Sequence, residues 1–257
     1  MKYFNDEKNI LEKFRSVPIS ECYCSSEPEK KIFSLIHNEK NWSNWKDSSG
    51  KADLPPDYFS GEFGLMMDVM RIDDHGFKNK KGKIVNPTYA RESQLEDELK
   101  NSEILHKVPH VFVIPDTGLP TIEDHNYIYY QKNFKNIISN HINKIKSYRQ
   151  NHPEFKVIFF VMDESSAYFQ SVVFPSEGQL SLGDILKGRP HLHWMDDMFL
   201  EVIRGSEIDY LIWFTPFKHL ISDNLKVALP EVCVLDIKEL EKNPIKYDAE
   251  NMISAEI

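Results

Sequence analysis

Residues 157–166 read VIFFVMDESS, six apolar residues followed directly by two acids and two serines. A strand covered on both faces is almost continuously apolar, whereas a strand with one wet face alternates, so this segment predicts the centre of a parallel sheet. Shorter runs of the same kind occur at residues 111–114, 210–214 and 232–235. We therefore predict a parallel centre built from strands near residues 111, 157 and 210, with a further strand near residue 232.

The chain between these runs has the pattern of helices and turns. Apolar residues at 134, 138, 142 and 145 recur at the spacing of one buried helical stripe. A right-handed crossover through that helix makes the strands near 111 and 157 parallel. Residues 63–89 predict an antiparallel hairpin with a long basic tip. The predicted fold is α/β, a three-layer sandwich around a mixed, mainly parallel sheet with an antiparallel hairpin at one side.

Composition favours a single globular unit. The chain has 257 residues, of which 41% are hydrophobic and 28% charged, values that are ordinary for a globular protein. We predict one α/β domain over residues 1–257. Residues 1–56 are expected to form a helical and loop appendage packed on the sheet, with helices near 7–14 and 27–36.

Charge limits the partners that the chain can attract. A net charge of −9 gives no general attraction to phosphate backbones or anionic lipid. Nucleic acid is therefore expected only at the hairpin tip that runs from Lys78 to Lys83. The chain begins without the apolar core of a secretory signal, and no apolar run approaches the ~18 residues of a membrane helix. We expect a cytoplasmic protein without a membrane partner.

Carboxylates follow two of the predicted strands. Asp116 comes just after residues 111–114, and Asp163 and Glu164 come just after residues 157–162. Open α/β sheets bind ligands outside the carboxyl ends of their strands, and neighbouring strand ends lie ~5 Å apart. These carboxylates, joined by Asp68, could share one Mg²⁺ or Mn²⁺ ion, because both prefer oxygen ligands. The alternative is that each acid caps a helix or closes a turn.

Two other groups of residues could bind a metal. His191 and His193 are two residues apart in a segment that precedes Asp196 and Asp197, so both imidazoles could face one ion. Helix capping by the two aspartates is the alternative. Cys22 and Cys24 are separated by one residue and could bind a metal or act in redox chemistry; the alternative is two incidental thiols, because no second Cys/His pair lies nearby. With Cys233 they make an odd set of thiols that fits a reducing compartment better than a disulfide framework.

Two functions remain open at the level of sequence. The first is a divalent-metal-dependent hydrolase or phosphodiesterase, nuclease-like in its chemistry, with Asp116, Asp163 and Glu164 as catalytic groups and Asp68, Asp116, Asp163 and Glu164 as metal ligands. The second is a non-catalytic binding or protein-interaction module. A glycine-rich phosphate loop and the glycines of a nucleophile elbow are both missing from the sequence.

Overall fold

The computed structural model describes residues 7–48, 56–100, 118–171, 188–218 and 229–256. The predicted strand at 111–114 and the predicted site residue Asp116 lie outside these ranges. The helices are α1 Glu7–Arg15, α2 Glu27–His37, α3 Glu39–Trp42, α4 Thr88–Lys100, α5 Thr121–Asp124, α6 Tyr127–Ile142, α7 Ile145–Asn151 and α8 Asp197–Ile203. The strands are β1 Cys22–Cys24, β2 Lys46–Asp47, β3 Tyr58–Ser60, β4 Leu65–Ile72, β5 Phe77–Lys78, β6 Ile84–Val85, β7 Lys156–Asp163, β8 Tyr168–Ser171, β9 Gly188–Pro190, β10 Tyr210–Phe214, β11 Val232–Asp236 and β12 Met252–Ser254.

Within the described residues, the main sheet is mixed and has the strand order β1-β11-β10-β7-β4-β3-β2. The strand that the sequence placed at the centre, β7, is central, and it pairs in parallel with β10 and with β4. β1 also pairs in parallel with β11. The remaining neighbours, β10 with β11, β3 with β4 and β2 with β3, are antiparallel. The strand predicted near residue 232, β11, runs parallel to β1 but antiparallel to β10. The sheet is therefore mixed rather than mainly parallel, because a doubly covered strand has the same apolar pattern whichever way it runs.

The predicted hairpin over residues 63–89 was also wrong in its pairing. β4 lies inside the main sheet, in register with β7 from Leu65 opposite Lys156 to Ile72 opposite Asp163. Only the short strands β5 and β6 form a hairpin, in a separate sheet that carries the lysine-rich tip. The charges within β4 had favoured an exposed strand. They are tolerated at buried positions because each has a partner, which removes most of the cost of burying a charge.

Alternate residues of β4 belong to two different hydrophobic clusters. Met66, Met70 and Ile72 join side chains of α6 and α8. Leu65, Met67 and Val69 join side chains of α1 and α2. Since successive side chains of a strand point to opposite faces, helices pack on both faces of the sheet. Among the residues that the structure describes, none of the helices has the length and apolar character needed to cross a membrane.

Helix α6 covers one face of the sheet, and its Asn133 donates a hydrogen bond at 2.9 Å to Asp73, just after β4. Its N-cap is Asn126, whose side chain accepts a hydrogen bond from the backbone N–H of Tyr129 at 3.2 Å. The helix buries Tyr127, Tyr130, Phe134 and Ile138 against the sheet. The single helix predicted from the apolar stripe at residues 134–145 is in fact two helices, α6 and α7, that meet at residues 143–144.

Candidate functional site

Polar side chains gather where the neighbouring parallel strands β4 and β7 end. Asp73, Asp74 and His75 follow β4, and Ser165 and Ser166 follow the last residue of β7 within three positions. The two strand ends are adjacent because Ile72 lies opposite Asp163 in the register. All five of these polar residues are buried. The carboxyl edge of the sheet, where the sequence predicted a site, is thus occupied by a buried polar cluster.

Asp74 is the fixed centre of this cluster. Its Oδ2 accepts hydrogen bonds from the backbone N–H of Ser166 at 3.0 Å, from the hydroxyl of Ser166 at 3.1 Å and from the hydroxyl of Tyr168 at 2.5 Å. Burial by itself raises the pKa of Asp74, but the hydrogen bonds from His125 and Tyr168 outweigh burial and bring the pKa below its usual value. The side chain is therefore a carboxylate at neutral pH and is held in one orientation.

Two histidines flank Asp74. His125 Nδ1 lies 3.3 Å from both carboxylate oxygens, and His75 Nδ1 lies 3.9 Å from Oδ1. Asp74, His75 and His125 each offer one ligand atom, and these atoms all lie within 4.8 Å of one another. Two imidazole nitrogens and a carboxylate oxygen at this spacing form a ligand set that one divalent ion can bridge. The three residues constitute the candidate metal centre.

Two further carboxylates line the outer side of the candidate metal centre. Asp124 Oδ1 lies 2.9 Å from Nδ1 of His75, and Glu256 Oε2 lies 3.2 Å from Nε2 of His125. Burial lowers the pKa of His125, but the hydrogen bonds with Asp74 and Glu256 outweigh burial and raise the pKa to about 10. The structure thus describes His125 as an imidazolium between two carboxylates. A metal ion at this place would take the position of that proton, since metals bind neutral imidazole.

Asp163, a predicted metal ligand, is saturated by protein donors. The hydroxyl of Tyr130 donates to its carboxylate at 2.5 Å, Nε1 of Trp213 at 2.8 Å, and the backbone N–H and hydroxyl of Ser165 at 2.9 and 2.6 Å. Nζ of Lys218 lies 3.1 Å away, and both charged side chains are almost fully buried. These contacts place Asp163 in a structural ion pair that fixes the turn after β7.

Glu164 and Asp68 have separate partners. Glu164 accepts two hydrogen bonds from Arg71, at 2.6 and 3.1 Å, and burial raises its pKa by more than Arg71 lowers it. Asp68 accepts from Tyr148 at 2.7 Å and contacts His141 at 2.5 Å. In the register Asp68 lies opposite Phe159, four residues before Asp163 along β7, a separation of ~13 Å at 3.3 Å per residue. Asp68 therefore lies too far from Asp163 to share an ion with it.

The second predicted pair, His191 and His193, also divides between two environments. Nε2 of His191 lies 2.8 Å from Asp196, which also accepts a hydrogen bond from Tyr127. Asp196 caps α8 as the sequence allowed, by accepting from the backbone N–H of Met198. His193 is completely buried against Trp213, and neither of its ring nitrogens has a hydrogen-bond partner among the described residues. Burial lowers the pKa of His193 well below its usual value, so the ring is neutral.

Sequence reasoning missed the residues of the candidate metal centre. Asp74 and His75 stand directly after β4, but that segment was interpreted as the turn of a hairpin. His125 stands two residues before α6. Polar residues just before a helix more often cap it than bind a ligand. The available signal was an acid and a histidine at the end of a buried strand, followed about 50 residues later by another histidine.

Comparison with known proteins gives no family for this chain. No protein-family model, no curated protein and no solved structure matches it. The case for a function therefore depends on the geometry and chemistry of the candidate metal centre.

Proposed function

We propose that this protein is a divalent-metal-dependent hydrolase of phosphodiesters, with its metal held by Asp74, His75 and His125. The observation that carries the proposal is the buried, ionised Asp74 with two histidines whose ligand atoms all lie within 4.8 Å. The proposal keeps the metal-dependent chemistry expected from the sequence and moves its ligands to the end of β4.

The donor set favours certain ions. Imidazole nitrogen suits first-row transition metals, whereas Mg²⁺ prefers oxygen ligands alone. We therefore propose Mn²⁺ or Zn²⁺ ahead of Mg²⁺. If bound here, such an ion would supply a Lewis acid for the phosphoryl oxygen of a phosphodiester and would make a coordinated water more acidic.

The surrounding residues have distinct roles in this proposal. Ser166 and Tyr168 hold the Asp74 carboxylate in place through their hydrogen bonds. Outer-shell hydrogen bonds of this kind orient ligands and tune the affinity for the metal. Asp124 Oδ1 lies 2.9 Å from Nδ1 of His75, and we propose Asp124 as the group that would accept the proton that an attacking water loses. Glu256 contacts Nε2 of His125, the ring nitrogen that faces away from Asp74, so its role would be to orient that ring.

The basic hairpin supports a phosphate-containing substrate. β5 begins two residues after His75, and the hairpin exposes Lys78, Lys80, Lys81 and Lys83. On a protein with a net charge of −9, a local basic patch next to a candidate metal centre favours an anionic ligand. A nucleic-acid backbone is a polymer of anionic phosphodiesters, and we propose that the lysine residues of the hairpin tip contact such a backbone.

We also propose an architecture and a cellular compartment for this protein. Helices on both faces of the main sheet support a three-layer sandwich as the architecture. The free thiols of Cys22, Cys24 and Cys233 support a reducing compartment, and hence a cytoplasmic protein.

Metal titration of wild type and two histidine variants tests the ligands. We expect Mn²⁺ or Zn²⁺ to bind wild type in isothermal titration calorimetry and to raise its melting temperature, and we expect His125→Gln and His75→Gln to weaken binding at least tenfold. His141→Gln is the matched control, because His141 also contacts a buried β4 aspartate but lies away from the candidate metal centre. Equal affinity in His125→Gln and His141→Gln would refute the assignment of ligands.

Turnover tests the activity. Metal-loaded wild type should hydrolyse bis(p-nitrophenyl) phosphate, and both His75→Gln and His125→Gln should lose that activity. Metal binding without hydrolysis of this substrate or of single-stranded DNA would contradict the hydrolase and favour the alternative, a non-catalytic binding module.

A further inference from the structure

Two thiols lie side by side at the edge of the main sheet. Cys22 and Cys24 are the first and last residues of β1, which is the terminal strand of the sheet and pairs in parallel with β11. Side chains two residues apart in a strand point to the same face, whereas Tyr23 points to the other. The two Sγ atoms are 3.1 Å apart, close enough for one thiol to donate a hydrogen bond to the other sulfur.

The two sulfurs differ in acidity and are open to small reagents. Both side chains are partly exposed, whereas Cys233 on the neighbouring strand is fully buried. The hydrogen bond from Cys22 lowers the pKa of Cys24 and outweighs the opposing effect of burial, while the same bond raises the pKa of Cys22. Cys24 is therefore the better nucleophile, since the thiolate is the reactive form of cysteine.

We propose that Cys22 and Cys24 form a redox-active dithiol that reacts with low-molecular-weight disulfides and closes to an intramolecular Cys22–Cys24 disulfide. The proposal is independent of the hydrolase, since none of its atoms belongs to the candidate metal centre. It is carried by the contact between two partly exposed sulfurs that point the same way from one short strand.

The reaction takes place in two exchange steps. The Cys24 thiolate attacks one sulfur of the small disulfide, forms a mixed disulfide and releases one small thiolate. Cys22 then gives up its proton to solvent, and its sulfur attacks the Cys24 sulfur and expels the second small thiolate. Two electrons pass from the protein thiols to the small disulfide, which leaves as two thiols.

The geometry of β1 determines how easily the Cys22–Cys24 disulfide is reduced. Residues two apart in a parallel strand are separated by about 6.6 Å between Cα atoms, near the upper end of the 4.4–6.8 Å range of disulfides. Closing the bond at this separation strains β1, because the strand is held in register by Cys22 opposite Val232 and Cys24 opposite Val234. A bond that distorts its strand is more easily reduced than a structural disulfide. We therefore expect Cys22 and Cys24 to alternate between the dithiol and the disulfide rather than to remain oxidised.

Peptide mapping of the folded full-length protein tests the proposal. Trypsin separates residues 16–30, which contain both thiols, from residues 227–238, which contain Cys233. After incubation with oxidised glutathione, we expect the 16–30 peptide of wild type to be lighter by two hydrogens. We expect Cys22→Ser to keep glutathione attached to Cys24, and Cys24→Ser to react roughly tenfold more slowly at Cys22. The 227–238 peptide is the internal control and should stay unmodified.

Several outcomes would overturn the proposal. They are a wild-type 16–30 peptide that stays reduced, two separate glutathione adducts without a disulfide, and equal rates in the two serine variants. Limiting iodoacetamide on wild type gives a test that needs no variant. First alkylation at Cys24 supports the proposed order of reactivity, and first alkylation at Cys22 refutes it.

Discussion

Replacing Lys218 by methionine removes one charge from the buried ion pair at the end of β7. The side chains of Lys218 and Asp163 are 2% and 0% exposed, with Nζ 3.1 Å from the carboxylate. Nζ also donates to the hydroxyl of Ser165 at 2.7 Å. Methionine keeps most of the length of the aliphatic stem, so the change deletes the ammonium group with little loss of packing.

The expected loss of unfolding free energy depends on the Asp163 carboxylate, which stays buried when the ammonium group is removed. Breaking a buried pair by removing one partner costs about 3–5 kcal/mol, because an uncompensated charge is left in the interior. Asp163 keeps its hydrogen bonds from Tyr130, Trp213 and Ser165, so we expect the lower end, about 3 kcal/mol of unfolding free energy. For a chain of this size, 1 kcal/mol shifts the melting temperature by about 2–4 °C, so the expected loss is roughly 6–12 °C.

A double-mutant cycle makes this reasoning refutable. Urea unfolding followed by tryptophan fluorescence should give the loss for Lys218→Met, for Asp163→Asn and for the double variant. Because the double variant buries no charge at this place, its loss should be at least about 1 kcal/mol smaller than the sum of the two single losses. A loss below about 1 kcal/mol for Lys218→Met, or strictly additive losses, would show that the two charges do not form a buried pair.

Three further substitutions test other parts of the fold. Gly76→Ala should destabilise by about 1–3 kcal/mol in urea unfolding, because a Cβ there would lie 2.6 Å from the ring of Tyr129, whereas Gly61→Ala, with no atom within 4 Å, should be close to neutral. Asp68→Asn should lose stability above pH 3.8 and approach wild type as the pH falls further. Burial raises the pKa of Asp68, but hydrogen bonds from its histidine and tyrosine partners bring the pKa below the ordinary value of 3.8, so the stabilisation requires the carboxylate. A difference in melting temperature between variant and wild type that stays constant from pH 7 to pH 2 would contradict this. Glu29→Gln should cost about 1.5–3 kcal/mol by chemical unfolding, because its carboxylate accepts from backbone N–H groups before α2 and in β11, and an unchanged midpoint would contradict that role.

Elements that depend on local pattern could be predicted from the sequence. The continuous apolar runs located β7, β10 and β11, and the apolar periodicities located α1 and α2. The start of α8 was predicted at Asp196 or Asp197, and Asp196 is the N-cap; the prediction was possible because an N-cap needs only a short side chain and the next two N–H groups. In these cases the deciding interactions lie within a few residues of one another.

Strand direction and neighbours could not be predicted in the same way. β4 contains Asp68 and Arg71, and its place beside β7 depends on partners that come from α6, α7, α4 and the turn after β7. Those partners are between 21 and 93 residues away along the chain. A sequence pattern records the charge but not the partner that makes its burial tolerable.

The sequence of residues 157–166 was sufficient by itself to predict that a buried strand ends in a polar turn at the carboxyl edge of the sheet. Only the tertiary structure decided which partners each acid at that edge received. It paired Asp163 with Lys218 and left Asp74, at the end of the neighbouring strand, beside His75 and His125. The physical reason is that a buried carboxylate must be satisfied by whatever donors the fold brings to it, and those donors come from distant parts of the chain.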